Sequence, residues 1–226
     1  MKRNPFTLVE ILVVIAVIAI LMGLMFPALG MVKEKAYMRQ SLSDVKAVHM
    51  AIKSFKNDYG YLPDPNKNTT SDVVYYGTGS TDNSTTTTTD TAKCVKVDNS
   101  CVFKSDESLN TGYVNLFSVL CARTTAGAAE TTGLNPKKVT FLTPTAKYTG
   151  SDNAKNGSRD PWGRPYLVFL DTNYDGEIEL PGGKKIYDDA AVVGLGSYDP
   201  TAGSADDKIS KALESKNASK IVTSWQ

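Results

Sequence analysis

The chain has 226 residues, with 25 basic and 24 acidic side chains and a net charge of +1. Such a balance gives no general electrostatic reason to hold nucleic acid, and the length suits one domain of ordinary size with extensions. A single histidine in the whole sequence, no serine-nucleophile pattern and no glycine-rich phosphate loop leave catalysis without a converging set of groups, so the sequence predicts a protein that is not an enzyme.

Lys2 and Arg3 precede an uncharged run from Ile11 to Leu29. As a helix rising ~1.5 Å per residue the run is about 28 Å long, close to the thickness of a bilayer core. It predicts a single membrane pass. The basic pair leaves the N-terminus in the cytoplasm and everything after about Lys33 on the far side. A cleaved secretory signal has a similar outline, but a shorter core with no acid such as Glu10 at its head. Between Val13 and Leu21 the run is apolar on every face, which argues against a helix buried in a soluble protein. Glu10, an ionisable group at the start of a lipid-facing helix, predicts function and a partner, because burying it alone is costly.

Beyond Pro27 the pattern turns amphipathic. Met38, Leu42, Val45, His49, Ile52 and Phe55 recur at three- and four-residue spacings among Lys35, Arg39, Lys46, Lys53 and Asn57, as on a helix with one buried face. Gly60 is the expected C-terminal cap, and Pro63 prevents continuation. His49, alone of its kind on the apolar face, reads as a packed residue.

From Thr69 to Asp90 the composition is polar and Thr-rich, predicting a mobile insertion over about 69–93 that buries too little to offset its ordering entropy. Cys94 and Cys101 could close a small loop in an oxidising exterior, while Cys121 is either a buried thiol or the true partner of one of them, so three pairings stay open. Tyr113, Leu116, Phe117 and Leu120 share one helical face. Leu167–Leu170, Ile178–Leu180 and Ala190–Leu195 are strand candidates. Between the first two lies Asp171-Thr172-Asn173-Tyr174-Asp175-Gly176, the first half of a helix-loop-helix calcium pattern with oxygen donors at positions one, three and five. The twelfth position is Gly182, with no carboxylate. The preferred reading of this segment is a hairpin turn, with Asp171, Asn173 and Asp175 as the weaker of two metal candidates.

Three stretches resemble the type IV pilin and type II secretion pseudopilin family, most closely its major pseudopilins. They are Phe6-Thr7-Leu8-Val9-Glu10-Ile11, Lys56-Asn57-Asp58-Tyr59-Gly60-Tyr61-Leu62-Pro63 and Asp160-Pro161-Trp162-Gly163-Arg164-Pro165-Tyr166. The resemblance implies that a prepilin peptidase removes a leader of residues 1–5, that the Phe6 amine is methylated, and that Glu10 is the assembly residue. Pro5 departs from the family's usual Gly before the cut, and it fixes the backbone at the scissile bond. The closing order Leu195-Gly196-Ser197-Tyr198-Asp199, Ala205-Asp206-Asp207 and Ser224-Trp225 is similar to the family's calcium loop, with its spacing broken by Tyr198 and by 208–223. It implies a structural Ca2+ held by the Leu195 carbonyl, Asp199, Asp206 and Asp207.

The expected fold is α+β, a long N-terminal helix on a small antiparallel sheet. Residues 6–31 would be the transmembrane and assembly half, and 32–226 a periplasmic head comprising helix 32–59, the insertion and a C-terminal sheet with its acidic loop over 160–226. The implied function is a structural subunit of a periplasmic pseudopilus in a type II secretion system. Its implied partners are further copies of itself, minor pseudopilins, the inner-membrane assembly platform, the prepilin peptidase and the inner membrane. The alternatives are a type IV pilus subunit, which the Thr-rich insertion would suit, and a membrane-tethered calcium-dependent binding module.

Overall fold

A computed structural model describes residues 8–65, 72–75, 111–123, 132–143, 159–198, 209–214 and 217–225, with the side chains of 24–29, 111, 209 and 210 excepted. The element order is α1 (Leu8–Tyr59), β1 (Val73–Tyr75), α2 (Thr111–Cys121), β2 (Leu167–Leu170), β3 (Ile178–Glu179), β4 (Lys185–Ile186), β5 (Ala190–Gly194), α3 (Ile209–Ala212) and β6 (Val222–Thr223). The chain divides into two compact units, Met1–Arg39 and Gln40–Gln226.

The first unit contains the start of α1, where Leu8, Val9, Ile11 to Ile15, Val17, Ile18 and Ile20 to Met22 present their side chains on every face, none less than 45% exposed among the larger apolar residues. Among the described residues no helix is long and apolar enough to cross a membrane; the side chains of 24–29, which complete the uncharged run, are not among them.

In the second unit α1 becomes one-sided. Val45, Val48, Ala51, Ile52 and Phe55 are buried at the spacings that place them on one face. The helix stops as its sequence requires. Gly60 takes φ +78°, and its N–H donates to the Lys56 carbonyl at 2.8 Å, closing the last turn in a conformation that only glycine adopts cheaply.

The main sheet is antiparallel, in the order β1-β2-β5-β6. Its register sets Val73, Leu170 and Ala190 in one row, and Tyr75, Val168 and Val192 in another on the same face. Gly194 belongs to that face and lies against Ser41 and Val45 of α1. Val74, Phe169 and Ala191, with Leu167 and Val193, point the other way. They pack with Ile178 and Leu180 of the β3–β4 ribbon and with Leu195, Tyr198, Ala212 and Ile221. Covered on both faces, β2 and β5 are buried at every position, which is why they read as continuous apolar runs rather than alternating ones.

Two expectations need correction. The polar stretch read as a mobile insertion contains β1, whose three residues are all buried. A strand that short needs only a partner edge and two apolar surfaces, and β2 provides the edge. The Asp171–Ile178 segment is not a hairpin turn, because its flanking strands do not pair: β2 pairs with β1 and β5, and β3 with β4. It is a loop carrying the chain from one sheet to the other.

α2 buries Tyr113, Leu116, Phe117 and Leu120 as their shared face implied, and Cys121 is a free, buried thiol. Burial pushes that thiol up to about 12, the nearby Arg123 charge opposing only in part. Cys94 and Cys101 lie outside the described residues.

Candidate functional site

Glu10 sits in the first turn of α1, an acid among exposed aliphatic side chains. Its carboxylate complements the positive end of the helix dipole. Pro5 and Phe6 lie outside the described residues.

The Asp160–Tyr166 phrase forms a tight turn that serves the rest of the head. Asp160 Oδ1 accepts from the Trp162 N–H at 3.0 Å and the Arg164 N–H at 2.7 Å. The Asp160 N–H donates to the Arg164 carbonyl at 2.7 Å, and Gly163 takes φ +88° at the bend. Arg159 and Pro165 bridge across it. The turn aims two side chains. Arg164 Nη1 donates to the carbonyls of Gly196, at 3.2 Å, and Tyr198, holding the start of the C-terminal loop. The Tyr166 N–H donates to the Tyr113 hydroxyl at 3.0 Å, and its own hydroxyl donates to Asp44 of α1 at 3.3 Å. Burial raises Asp160 to about 6 despite the N–H donors and the Arg164 charge.

Of the expected calcium-loop ligands, Leu195 is buried and its carbonyl accepts from the Tyr198 N–H at 3.0 Å; Asp199, Asp206 and Asp207 lie outside the described residues. His49 is packed as its pattern implied and serves the fold. It lies 3.2 Å from Asp188, which also takes Lys53 at 2.9 Å, and Lys56 pairs with Asp189. Burial alone would raise Asp188, but the Lys53 bond, the Asp189 N–H and the His49 neighbour hold it below the usual value. One edge of α1 is thereby fixed to the segment leading into β5.

The Asp171 loop is built from its own polar groups. Asp171 Oδ2 accepts from the Gly176 N–H at 3.0 Å, Asn173 Oδ1 from the Asp175 N–H at 3.2 Å, and Asp175 Oδ1 from the Glu177 N–H at 3.0 Å. Tyr174 and Gly176 take positive φ. A third carboxylate comes from elsewhere: one oxygen each of Asp72, Asp171 and Asp175 lie within 4.8 Å of one another. Asp72 stands just before β1, and extending the Val73–Leu170 register by one step sets it opposite Asp171. Nothing in the local sequence of either segment announces that pairing.

No protein-family model matches the chain, and no solved structure matches it significantly. Two relatives do. The type II secretion system core protein G of Escherichia coli (strain K12) is 39% identical over 66 residues, covering 29% of this chain and 46% of that protein. The protein of the same description from Aeromonas hydrophila is 37% identical over 62 residues, covering 27% and 43%. Over the length they cover, these matches support a pseudopilin assignment. The chain thus matches less than half the length of these curated relatives.

Proposed function

We propose that this chain is a structural subunit of a type II secretion pseudopilus, anchored in the bacterial inner membrane by the first half of α1, with its head in the periplasm. The observation that carries the reading is the start of α1, a helix apolar on its whole circumference with one acid, Glu10, in its first turn. Such a surface cannot remain in water, because aliphatic area of this extent drives association with lipid or with like helices. In the membrane the run Ile11–Leu29 spans the hydrocarbon. In the filament the same helices stack on one another. Removal of residues 1–5 exposes the Phe6 amine, and that cation neutralises Glu10 of a neighbouring copy, which offsets the cost of an acid among apolar groups. Minor pseudopilins, an inner-membrane platform and the peptidase are the further partners of this scheme. The likeness to two secretion-system core proteins supports it, and relatives of that kind are structural subunits rather than enzymes.

Glu10→Ala tests the assembly step. The variant should fractionate with the inner membrane as the parent does, since losing a charge eases insertion. Filaments imaged from overproducing cells should become rare. If the variant assembles as the parent does, Glu10 has no part in assembly. If the parent itself makes no filament alongside the secretion machinery, the pseudopilus reading fails.

A further inference from the structure

Two buried carboxylate oxygens in the head, Asp171 Oδ1 and Asp72 Oδ1, have no hydrogen-bond partner. Asp171 is only 1% exposed. A buried charged oxygen without a partner carries a desolvation penalty that native proteins rarely tolerate unless something else satisfies it. Both residues belong to a trio with Asp175 in which one oxygen of each lies within 4.8 Å of the others. Burial first, and then the charges of Asp171, Asp175 and Glu177, push Asp72 up to about 6. Glu177 has its own cation in Lys185, so the charge left concentrated is that of the three aspartates.

We propose that Asp72, Asp171 and Asp175 bind a calcium ion that joins the loop between the two sheets to the edge strand β1. Calcium holds oxygens at about 2.3–2.6 Å in a flexible shell, so two that share the ion stand at most about 5.2 Å apart. The three oxygens, all within 4.8 Å of one another, lie inside that reach. The Asp171-x-Asn173-x-Asp175-Gly176 order supplies a half-pattern whose twelfth residue, Gly182, lacks a carboxylate. Asp72, remote in sequence, supplies the missing acid through the register of β1 on β2. The loop is already held in place. The Asp171 N–H donates to the Asp189 carbonyl at 3.0 Å, the Thr172 N–H to the Leu170 carbonyl at 3.0 Å, and the Tyr174 hydroxyl accepts from the Leu62 N–H at 3.0 Å. Asn173 orients the site, its amide donating to Asp175 Oδ2 at 2.8 Å. Main-chain carbonyls and water complete the six to eight oxygens that calcium takes.

The test separates this centre from the C-terminal acidic loop. The full chain in detergent is titrated with CaCl2 and melted with calcium or with chelator, as parent, Asp72→Asn, Asp175→Asn and Asp206→Ala/Asp207→Ala. Asp175 is exposed, so its variant folds even if a change at Asp72 perturbs β1. Calcium should raise the melting temperature of the parent and of the Asp206/Asp207 variant. Asp72→Asn and Asp175→Asn should each weaken binding at least tenfold. In chelator the order should invert, Asp72→Asn melting above the parent because like charges have been removed, a crossing that a purely structural Asp72 would not produce. Calcium binding lost only in the Asp206/Asp207 variant, or melting curves of the parent unmoved by calcium, overturns the proposal.

Discussion

Asp160 concentrates the electrostatics of the head in one side chain. It is 3% exposed and accepts two main-chain N–H groups through Oδ1, while Oδ2 has no partner. Burial lifts it from 3.8 to about 6, so between those values the folded chain keeps a proton that the unfolded chain releases. Its contribution to stability is therefore full below pH ~4 and is lost as pH rises through about 6. Asp160→Asn retains the accepting oxygen and removes the ionisation. Relative to the parent it should gain stability on going from pH 4.5 to 7.5, by about 2 kcal/mol for a shift of about two units. Denaturant unfolding of both proteins at the two pH values measures the difference. A difference independent of pH would show that Asp160 does not titrate in this window.

At the scale of elements, the closest approach is that of β5 to α1. A Cβ built on Gly194 would lie 2.7 Å from Ser41 Oγ, with Tyr166 Cε1 at 3.3 Å and Val45 Cγ2 at 3.4 Å. Ser41 is fully buried and its hydroxyl lacks a partner, so it stands there for its size. Gly194→Ala should destabilise by about 1–3 kcal/mol through overpacking, and thermal unfolding would register it as a loss of several degrees. Adding Ser41→Ala removes the clashing oxygen and should restore most of the loss. A double variant as unstable as the sum of the two singles would place the strain elsewhere. Helix α1 itself was legible in sequence down to its last residue, because the three- and four-residue spacing of Val45, Ile52 and Phe55 and the glycine after Tyr59 are local signals. β1, β4 and β6 were not. Two or three residues carry no period, and such strands exist only because a neighbour presents an open edge.

The molecule as a whole divides between Arg39 and Gln40. Among the described residues the buried side chains all come from the second unit, whereas the larger apolar side chains of α1's first turns are exposed. A chain beginning at Lys33 should therefore be soluble and monomeric, with one cooperative unfolding transition, since the described core residues all lie beyond Arg39. Sedimentation and thermal melts decide it. Aggregation, or a melt without cooperativity, would mean that head and anchor fold as one.

Sequence alone was enough for whatever depends on the order of neighbours: the apolar run with Glu10 at its head, the cap at Gly60, the face of α2, the apolar strands β2 and β5, and the family that these stretches resemble. Each is written within a few turns of chain. The candidate calcium centre has a different origin. Read locally, Asp171, Asn173 and Asp175 were half of a motif and best taken as a hairpin turn, and Asp72 was one acid in a polar stretch. Only the register of β1 on β2 sets Asp72 opposite Asp171, and only the covering of both sheet faces makes an unpartnered carboxylate costly there. A charge acquires a ligand when the fold withdraws water from it, and no local pattern says where that will happen.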